Sequence, residues 1–253
     1  MPDSNLETAR ADLFYSQNGE DCLLAEMFRG VANGLCVEVG ANDGIQLSNT
    51  YYLERRGWKS ILVEPNPQLC QRLRETRSGQ VFQCVASARS GSETLLLAEG
   101  VDGLSTLVDD SEHRTRILSE GGSIQPLRVT ARTLDDILGE AGAKRVDFLS
   151  IDVEGAEFEV LQGLSLALWR PRVVLIEDQS GLWGSRVTQH MRRSGYVRIR
   201  RTGGNDWYVF RTDGIMRRFS DRRDMYFQHI RTALRDKLPP SLLRWYRRVR
   251  GIW

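Results

Sequence analysis

The side chains of this 253-residue chain best placed to do chemistry are acids at the ends of short apolar runs. Glu38 stands inside Leu35–Val39, and Glu64 follows Ser60–Val63. Asp152 closes Asp147–Ile151, and Glu177-Asp178 close Val173–Ile176. If these runs are parallel strands, the acids gather at one edge of a sheet, where open α/β sheets hold their ligands. Two chemistries then fit Asp152, Glu177 and Asp178. One is a hard-cation site for Mg²⁺ that acidifies a hydroxyl; the other is a metal-free general base. Of the two histidines in the first 210 residues, His113 lies in a polar stretch (109–122) suited to cover an acceptor, and it joins Asp152 and Glu177 as a catalytic candidate. His190 sits in a helical pattern and reads as a surface residue.

The segment Val37-Glu38-Val39-Gly40-Ala41-Asn42-Asp43-Gly44 reads as a strand, a two-glycine turn and a helix starting near Leu47. Glycine allows a sharp turn and a close backbone approach to a ligand, and helix N-terminal amides favour an anionic or polar group. A dinucleotide fingerprint requires glycine where Glu38 stands. A carboxylate there repels a pyrophosphate but suits the cationic amine of an amino-acid-like cofactor. Glu64, 26 residues on, is placed to accept two ribose hydroxyls. Glu38, Gly40 and Glu64 together describe S-adenosylmethionine better than NAD. The bland alternative is a glycine turn with no ligand.

Positioning these residues requires an alternating α/β fold. Near-continuous apolar runs suit strands buried on both faces: Leu35–Val39, Ser60–Val63, Val81–Val85, Asp147–Ile151 and Val173–Ile176. Helical patterns fall between them at 20–29, 49–56, 67–76, 154–164 and 185–194. Tyr196–Arg201 and Trp207–Arg211, joined by a Gly-rich link, predict a terminal antiparallel hairpin. The stretch 92–137 breaks the rhythm with short strands (94–98, 125–129) and a polar excursion. Insertions of this kind usually lie over the ligand face.

Composition narrows the class. An apolar fraction of 41% and a net charge of +2 argue against disorder, and no run approaches a membrane span. The N-terminal residues show no secretory pattern, and the four cysteines are too scattered for a zinc site, so the expectation is a reduced, cytoplasmic protein. From Arg211 onward, twelve Arg and Lys face four Asp and Glu, a net +8 that leaves −6 for the first 210 residues.

Three blocks resemble the FkbM family of S-adenosylmethionine-dependent methyltransferases: Tyr15–Asp21, Val37–Gly44 continuing to Ser48-Asn49-Thr50, and Ile151–Glu157. Ile61–Pro67 and Thr133–Asp136 agree with the same pattern, so the resemblance covers roughly residues 14–212. It implies a class I methyltransferase fold: a mostly parallel Rossmann-like sheet with an antiparallel terminal hairpin and helices on both faces. It also implies O-methylation of sugar hydroxyls on a polysaccharide, glycolipid or glycosylated metabolite. Carried across, Glu38, Gly40, Ala41, Asn42 and Gly44 would line the methionine end of the cofactor, with Asn49, Thr50, Gln17 and Asp152 nearby. Glu64 would hold the ribose, and Ala86 or Ser87 would edge the adenine. The bland reading of Asp152 is a helix cap. Alternatives of other classes are a non-catalytic glycan- or membrane-binding module on the same fold, and an NAD-dependent oxidoreductase, which Glu38 disfavours.

The domain reading is therefore a methyltransferase unit over 1–212, its N-terminal helical segment 1–33 included, and a basic amphipathic helical extension over 213–253. In the extension, Leu242, Trp245, Tyr246, Val249, Ile252 and Trp253 form a stripe opposite Arg244, Arg247, Arg248 and Arg250. The pattern over 241–253 fits a peripheral contact at the inner membrane face, a homo-oligomer interface, or packing on the body. No nucleic-acid module accompanies the charge, so no nucleic-acid partner is expected.

Overall fold

The computed structural model describes residues 15–100, 104–107, 111–178 and 185–218. The basic extension beyond Arg218, residues 101–103, 108–110 and 179–184, and the first fourteen residues lie outside these, and with them the expected helical extension.

Nine helices and ten strands alternate among the described residues. They run α1 (Glu20–Met27), β1 (Leu35–Val39), α2 (Tyr51–Glu54), β2 (Lys59–Val63), α3 (Pro67–Thr76), β3 (Gln80–Phe82), β4 (Val85–Ala86), β5 (Gly91–Glu99) and α4 (Ser111–Ser119). There follow β6 (Ser123–Arg132), α5 (Leu134–Glu140), β7 (Phe148–Ile151), α6 (Glu157–Gln162), α7 (Leu166–Trp169), β8 (Val173–Glu177), α8 (Arg186–Arg193), β9 (Tyr196–Thr202), β10 (Asn205–Phe210) and α9 (Ile215–Arg218). Seven strands form one sheet in the order β3-β2-β1-β7-β8-β10-β9. It is parallel from β3 to β8, and β10 joins antiparallel to both β8 and β9. The chain order reverses at β1, beside β7, the kind of switch point where such sheets open a crevice.

Local chemistry sets the elements. Pro67 opens α3 with its φ already helical, and the Asn66 side chain accepts the Gln68 amide at 2.9 Å. Ser185 caps α8 through the Thr188 amide at 2.9 Å. In β1 and β8, alternate residues feed two cores. Val37, Val39, Val174 and Ile176 pack with α5, α6 and α8; Cys36, Val173 and Leu175 pack with Leu24 and Met27 of α1.

Two expectations about elements are corrected. Val81–Val85 is not one strand: β3 ends at Phe82, and β4 leaves for a second sheet of order β4-β6-β5 built by the insertion. No helix begins near Leu47. Leu47 has φ +60 and bridges to Ser16, and only the four residues of α2 are helical, because Ser48 to Thr50 are drawn inward by Glu38.

Candidate active site

Gly40 shapes the crevice. Its φ is +81, and a Cβ there would lie 1.8 Å from the Asp152 carbonyl oxygen. Only glycine lets the ends of β1 and β7 meet this closely. Two cavities open beside it and share Gly40, Asn42, Asp152 and Glu154.

The first cavity is largely apolar, walled by Leu69, Val85, Ala86 and Leu95, with Glu64 at its edge. Glu64 is 5% exposed. Its carboxylate accepts the Asn42 amide at 3.0 Å and the Asn66 amide at 2.9 Å, leaving acceptor capacity on both oxygens. Burial outweighs those two amides and pushes its pKa up to about 7. The Asn42 side-chain oxygen is buried without a partner.

The second cavity is polar. Strand alternation gathers it: Glu38, Ser150, Glu177 and Asn205 occupy facing positions on the α1 side of adjacent strands. Gln17, Asn49 and Ala41 add to its lining, as expected, and Arg116 of α4 reaches in from the insertion.

Where the cavities join, Asp152, Glu154 and Glu177 each place a carboxylate oxygen within 4.8 Å of the other two. Burial, then the neighbouring charges of Glu177 and Glu154, hold the Asp152 carboxyl well above the usual carboxylate range. Burial likewise pushes Glu154 to about 7, against the pull of Arg116, whose Nη1 lies 3.6 Å from its carboxylate. One oxygen each of Glu154 and Glu177 is buried without a hydrogen bond.

Several expected site residues are corrected. Asp178 does not join the cluster, because it follows Glu177 and so points to the opposite face, where it accepts the Ser185 hydroxyl at 2.5 Å. Glu38 lines the polar cavity as expected, but its carboxylate already has protein partners. Its carboxylate accepts Ser48, the Asn49 amide at 2.7 Å and Thr50 at 2.5 Å, and it pairs with buried Arg77 at 3.5 Å. Thr50 is fully buried in that network, behind the cavity wall. Gly44 faces α3, where a Cβ would meet Leu73 at 2.3 Å, and its carbonyl takes Arg77 at 2.6 Å. The Ser87 hydroxyl goes to Glu93, and Ala86 alone borders the cavity. His113 lines neither cavity; its Nε2 meets the Leu104 carbonyl at 2.7 Å and secures the insertion.

Glu154, Arg116 and Asn205 were not among the expected site residues. Glu154 reads in sequence as the start of a helix, but it has φ +53, followed by Gly155 at +102, and α6 begins only at Glu157. The two-residue alternation past Ile176 and before Trp207 carried the signal for Glu177 against Asp178, and for Asn205.

The strand order, the glycine crossing and the buried acid after β2 define a class I methyltransferase fold. A model of the FkbM methyltransferase domain matches residues 38–237, and the chain belongs to that family. Methyltransferase 1 of Beauveria bassiana is 31% identical over 153 residues, which is 53% of this chain and 59% of that protein. Methyltransferase sdnD of Sordaria araneosa is 30% identical over 60% of this chain and 69% of its own. The 2-O-methyltransferase NoeI of Sinorhizobium fredii is 28% identical over 56% and 61%. These matches span about three-fifths to two-thirds of the relatives' lengths. The METTL16 methyltransferase domain superposes with a TM-score of 0.43 at 12% identity, covering 77% of this chain and 67% of that one. S-adenosylmethionine is the cofactor implied by the family. The residues fit it: an apolar slot, a buried acid with spare acceptors, an orphaned amide oxygen and a glycine-lined crossing.

Proposed function

We propose that the protein transfers a methyl group from S-adenosylmethionine to a sugar hydroxyl of a polysaccharide, glycolipid or glycosylated metabolite. The observation that carries this is the carboxyl cluster at the junction of an apolar and a polar cavity. Bound S-adenosylmethionine supplies a methyl group activated on a sulfonium. Glu64 would hold the ribose hydroxyls and Leu69, Val85 and Ala86 the adenine, while Asn42 and Asn49 face the amino-acid end. The polar cavity would take the acceptor, with Gln17 and Asn205 as hydrogen-bonding partners for a carbohydrate.

The chain's work is alignment and proton removal. Glu177 offers a buried oxygen with no donor and would accept the hydroxyl proton as the new O–CH₃ bond forms and the S–CH₃ pair returns to sulfur. Asp152, whose carboxyl lies beside Glu177 and is pushed up by burial and by that neighbour, would keep the Glu177 carboxylate oriented. The expected third ligand, Asp178, is turned away, but Glu154 stands in its place beside Asp152 and Glu177, so the chelator arm below decides between this metal-free reading and Mg²⁺. The relative named as a 2-O-methyltransferase supports a hydroxyl acceptor.

The test is calorimetric titration with S-adenosylhomocysteine on the native chain and on Glu64→Ala, with NAD as control, followed by labelled methyl transfer to a panel of glycans with and without chelator. Micromolar binding lost in Glu64→Ala, with chelator-insensitive transfer, supports the reading. A folded chain that binds neither nucleoside would end it, and loss of transfer in chelator would restore the metal.

A further inference from the structure

Glu20 opens α1, is 0% exposed and lines neither cavity. The groups that reach its carboxylate are all donors. The Asn18 amide lies at 2.7 Å, Asn18 Nδ2 at 3.1 Å, the Thr202 hydroxyl at 2.8 Å and Asn205 Nδ2 at 3.2 Å. Thr202 donates here while its oxygen receives the Trp207 indole N–H at 3.0 Å. The turn between β9 and β10 closes over the contact: a Cβ on Gly203 would lie 2.6 Å from Asn18 Nδ2. These described partners of Glu20 include no cation.

Burying an acid with no cation beside it costs more than burying the amide of a glutamine of the same size. What the acid adds is direction. Both oxygens accept, Oε2 from the Asn18 backbone and Oε1 from the other three donors, so a side-chain amide facing Oε1 must present its NH₂ group. Asn205 is therefore turned with its nitrogen toward Glu20 and its oxygen away. Asn205 is 7% exposed and lines the polar cavity, and no described residue donates to its Oδ1.

Glu177 is the register partner of Asn205 on the neighbouring strand β8. Directly opposed residues of an antiparallel pair share a face, with Cβ atoms about 4.5–5.5 Å apart. One Glu177 oxygen is also buried without a hydrogen bond. Two acceptors thus stand side by side in the polar cavity, and neither can serve the other. A ligand that bridges them must bring two donors, and a single hydroxyl brings one.

We propose that Glu20 is a positioning residue that fixes Asn205 as an acceptor, and that the pair selects a substrate with a second hydroxyl beside the one that is methylated. This rests on the reading of the polar cavity as the acceptor site, with Glu177 taking the proton. The reacting hydroxyl gives its proton to Glu177, and its neighbour donates to Asn205 Oδ1. A vicinal diol meets both demands. An acceptor with only hydrogen or an ether at the neighbouring carbon leaves the amide oxygen without a donor, which is unfavourable in a buried site.

The test has two arms. The first is hydrogen exchange by NMR on the full nitrogen-15-labelled chain, with the Asn205 side-chain amide assigned by its loss in Asn205→Ala. Its NH₂ protons should exchange at least about tenfold more slowly in the native protein than in Glu20→Gln, where the new amide can donate to Asn205 and turn it. The second arm compares labelled methyl transfer to the best glycan of the panel and to its monodeoxy analogue at the neighbouring carbon. The native enzyme should prefer the hydroxylated acceptor about a hundredfold in kcat/KM. In Glu20→Gln the preference should shrink to a few-fold through a raised KM for the hydroxylated acceptor, with S-adenosylhomocysteine affinity and circular dichroism unchanged. Asn205→Ala leaves Glu20 in place, should lose the preference too, and decides the matter if Glu20→Gln does not fold. Equal exchange in native protein and Glu20→Gln, no preference in the native enzyme, or an undiminished preference in either folded variant would each overturn the proposal. A native chain that methylates no glycan would end the sugar reading and the selection with it, while the exchange arm still reports on the contact between Glu20 and Asn205.

Discussion

A Cβ on residue 40 and the carbonyl oxygen of Asp152 compete for one place: the distance between them would be 1.8 Å. The crossing of β1 and β7 exists because residue 40 has no side chain, and the same contact sets Asp152 at the mouth of both cavities. Gly40→Ala should therefore push the two strand ends apart. We expect S-adenosylhomocysteine binding to drop at least about a hundredfold, alongside a stability loss of roughly 1–3 kcal/mol for the strained φ. Calorimetry and urea unfolding read the two effects separately; an alanine variant binding like the native chain would remove the crossing from the site.

If Glu64 holds the ribose, as proposed, cofactor binding should be pH-dependent. Its pKa in the folded protein is about 7, raised from 4.5 by burial. The folded state thus holds a proton that the unfolded state releases, so this group's contribution favours folding at low pH and weakens between pH 4.5 and about 7. Ribose hydroxyls donate to the ionised form, so the sign for binding is opposite. Affinity should fall about tenfold per unit as pH drops below about 7, and should level above it. Glu64→Gln should bind weakly at every pH, with a flat profile near 7.

Arg116 favours the ionised form of Glu154, with a smaller contribution of the same sign from His113. Removing the charge in Arg116→Met should raise the Glu154 pKa above 7. If Glu154 ionisation governs turnover, the acid limb of kcat against pH moves to higher pH while kcat on the plateau stays within a few-fold. An unmoved limb would assign Arg116 to the insertion's packing alone.

Glu177 and Asp178 are adjacent in the chain yet face different surroundings, the acid cluster and the Ser185 hydroxyl. Glu177→Gln should cut kcat by a factor on the order of 10²–10⁴ with little change in stability. Asp178→Asn should spare chemistry and instead loosen α8, whose cap Ser185 it receives at 2.5 Å, at a cost of about 1 kcal/mol. Measuring both variants for kcat and thermal midpoint checks this crossed pattern.

Arg77 is buried between Glu38 and Glu54, at 3.5 and 2.9 Å, and also holds Gly44 and Thr50. Arg77→Met strands two buried carboxylates and should cost about 3–5 kcal/mol, read by denaturant unfolding. Much of that loss should return in Arg77→Lys only if a point charge suffices; the multiple contacts predict that it will not.

The strands were legible because their apolar runs are continuous, and Pro67 and Asn66 mark the start of α3 as the sequence indicates. The cavity at the strand ends was legible through Glu64, Gly40 and Ala86, which all line it. What escaped was set by tertiary partners. Glu38 has the residue type for a ligand's amine, but nothing local announces that Arg77, 39 residues later, will claim it along with the Ser48–Thr50 loop. Gly44 turns toward α3 for the same reason. Glu154 escaped because a left-handed residue before glycine looks, in sequence, like the first turn of a helix. Val81–Val85 escaped because one apolar run was divided between two sheets.

That division ties the two cavities together. Once β4 leaves the main sheet, a single covalent excursion supplies Val85, Ala86 and Leu95 to the apolar cavity and Leu104 and Arg116 to the polar one. Exchanging the excursion would therefore recast a wall of each cavity at once, while the crossing at Gly40, which lies outside it, would stay as it is.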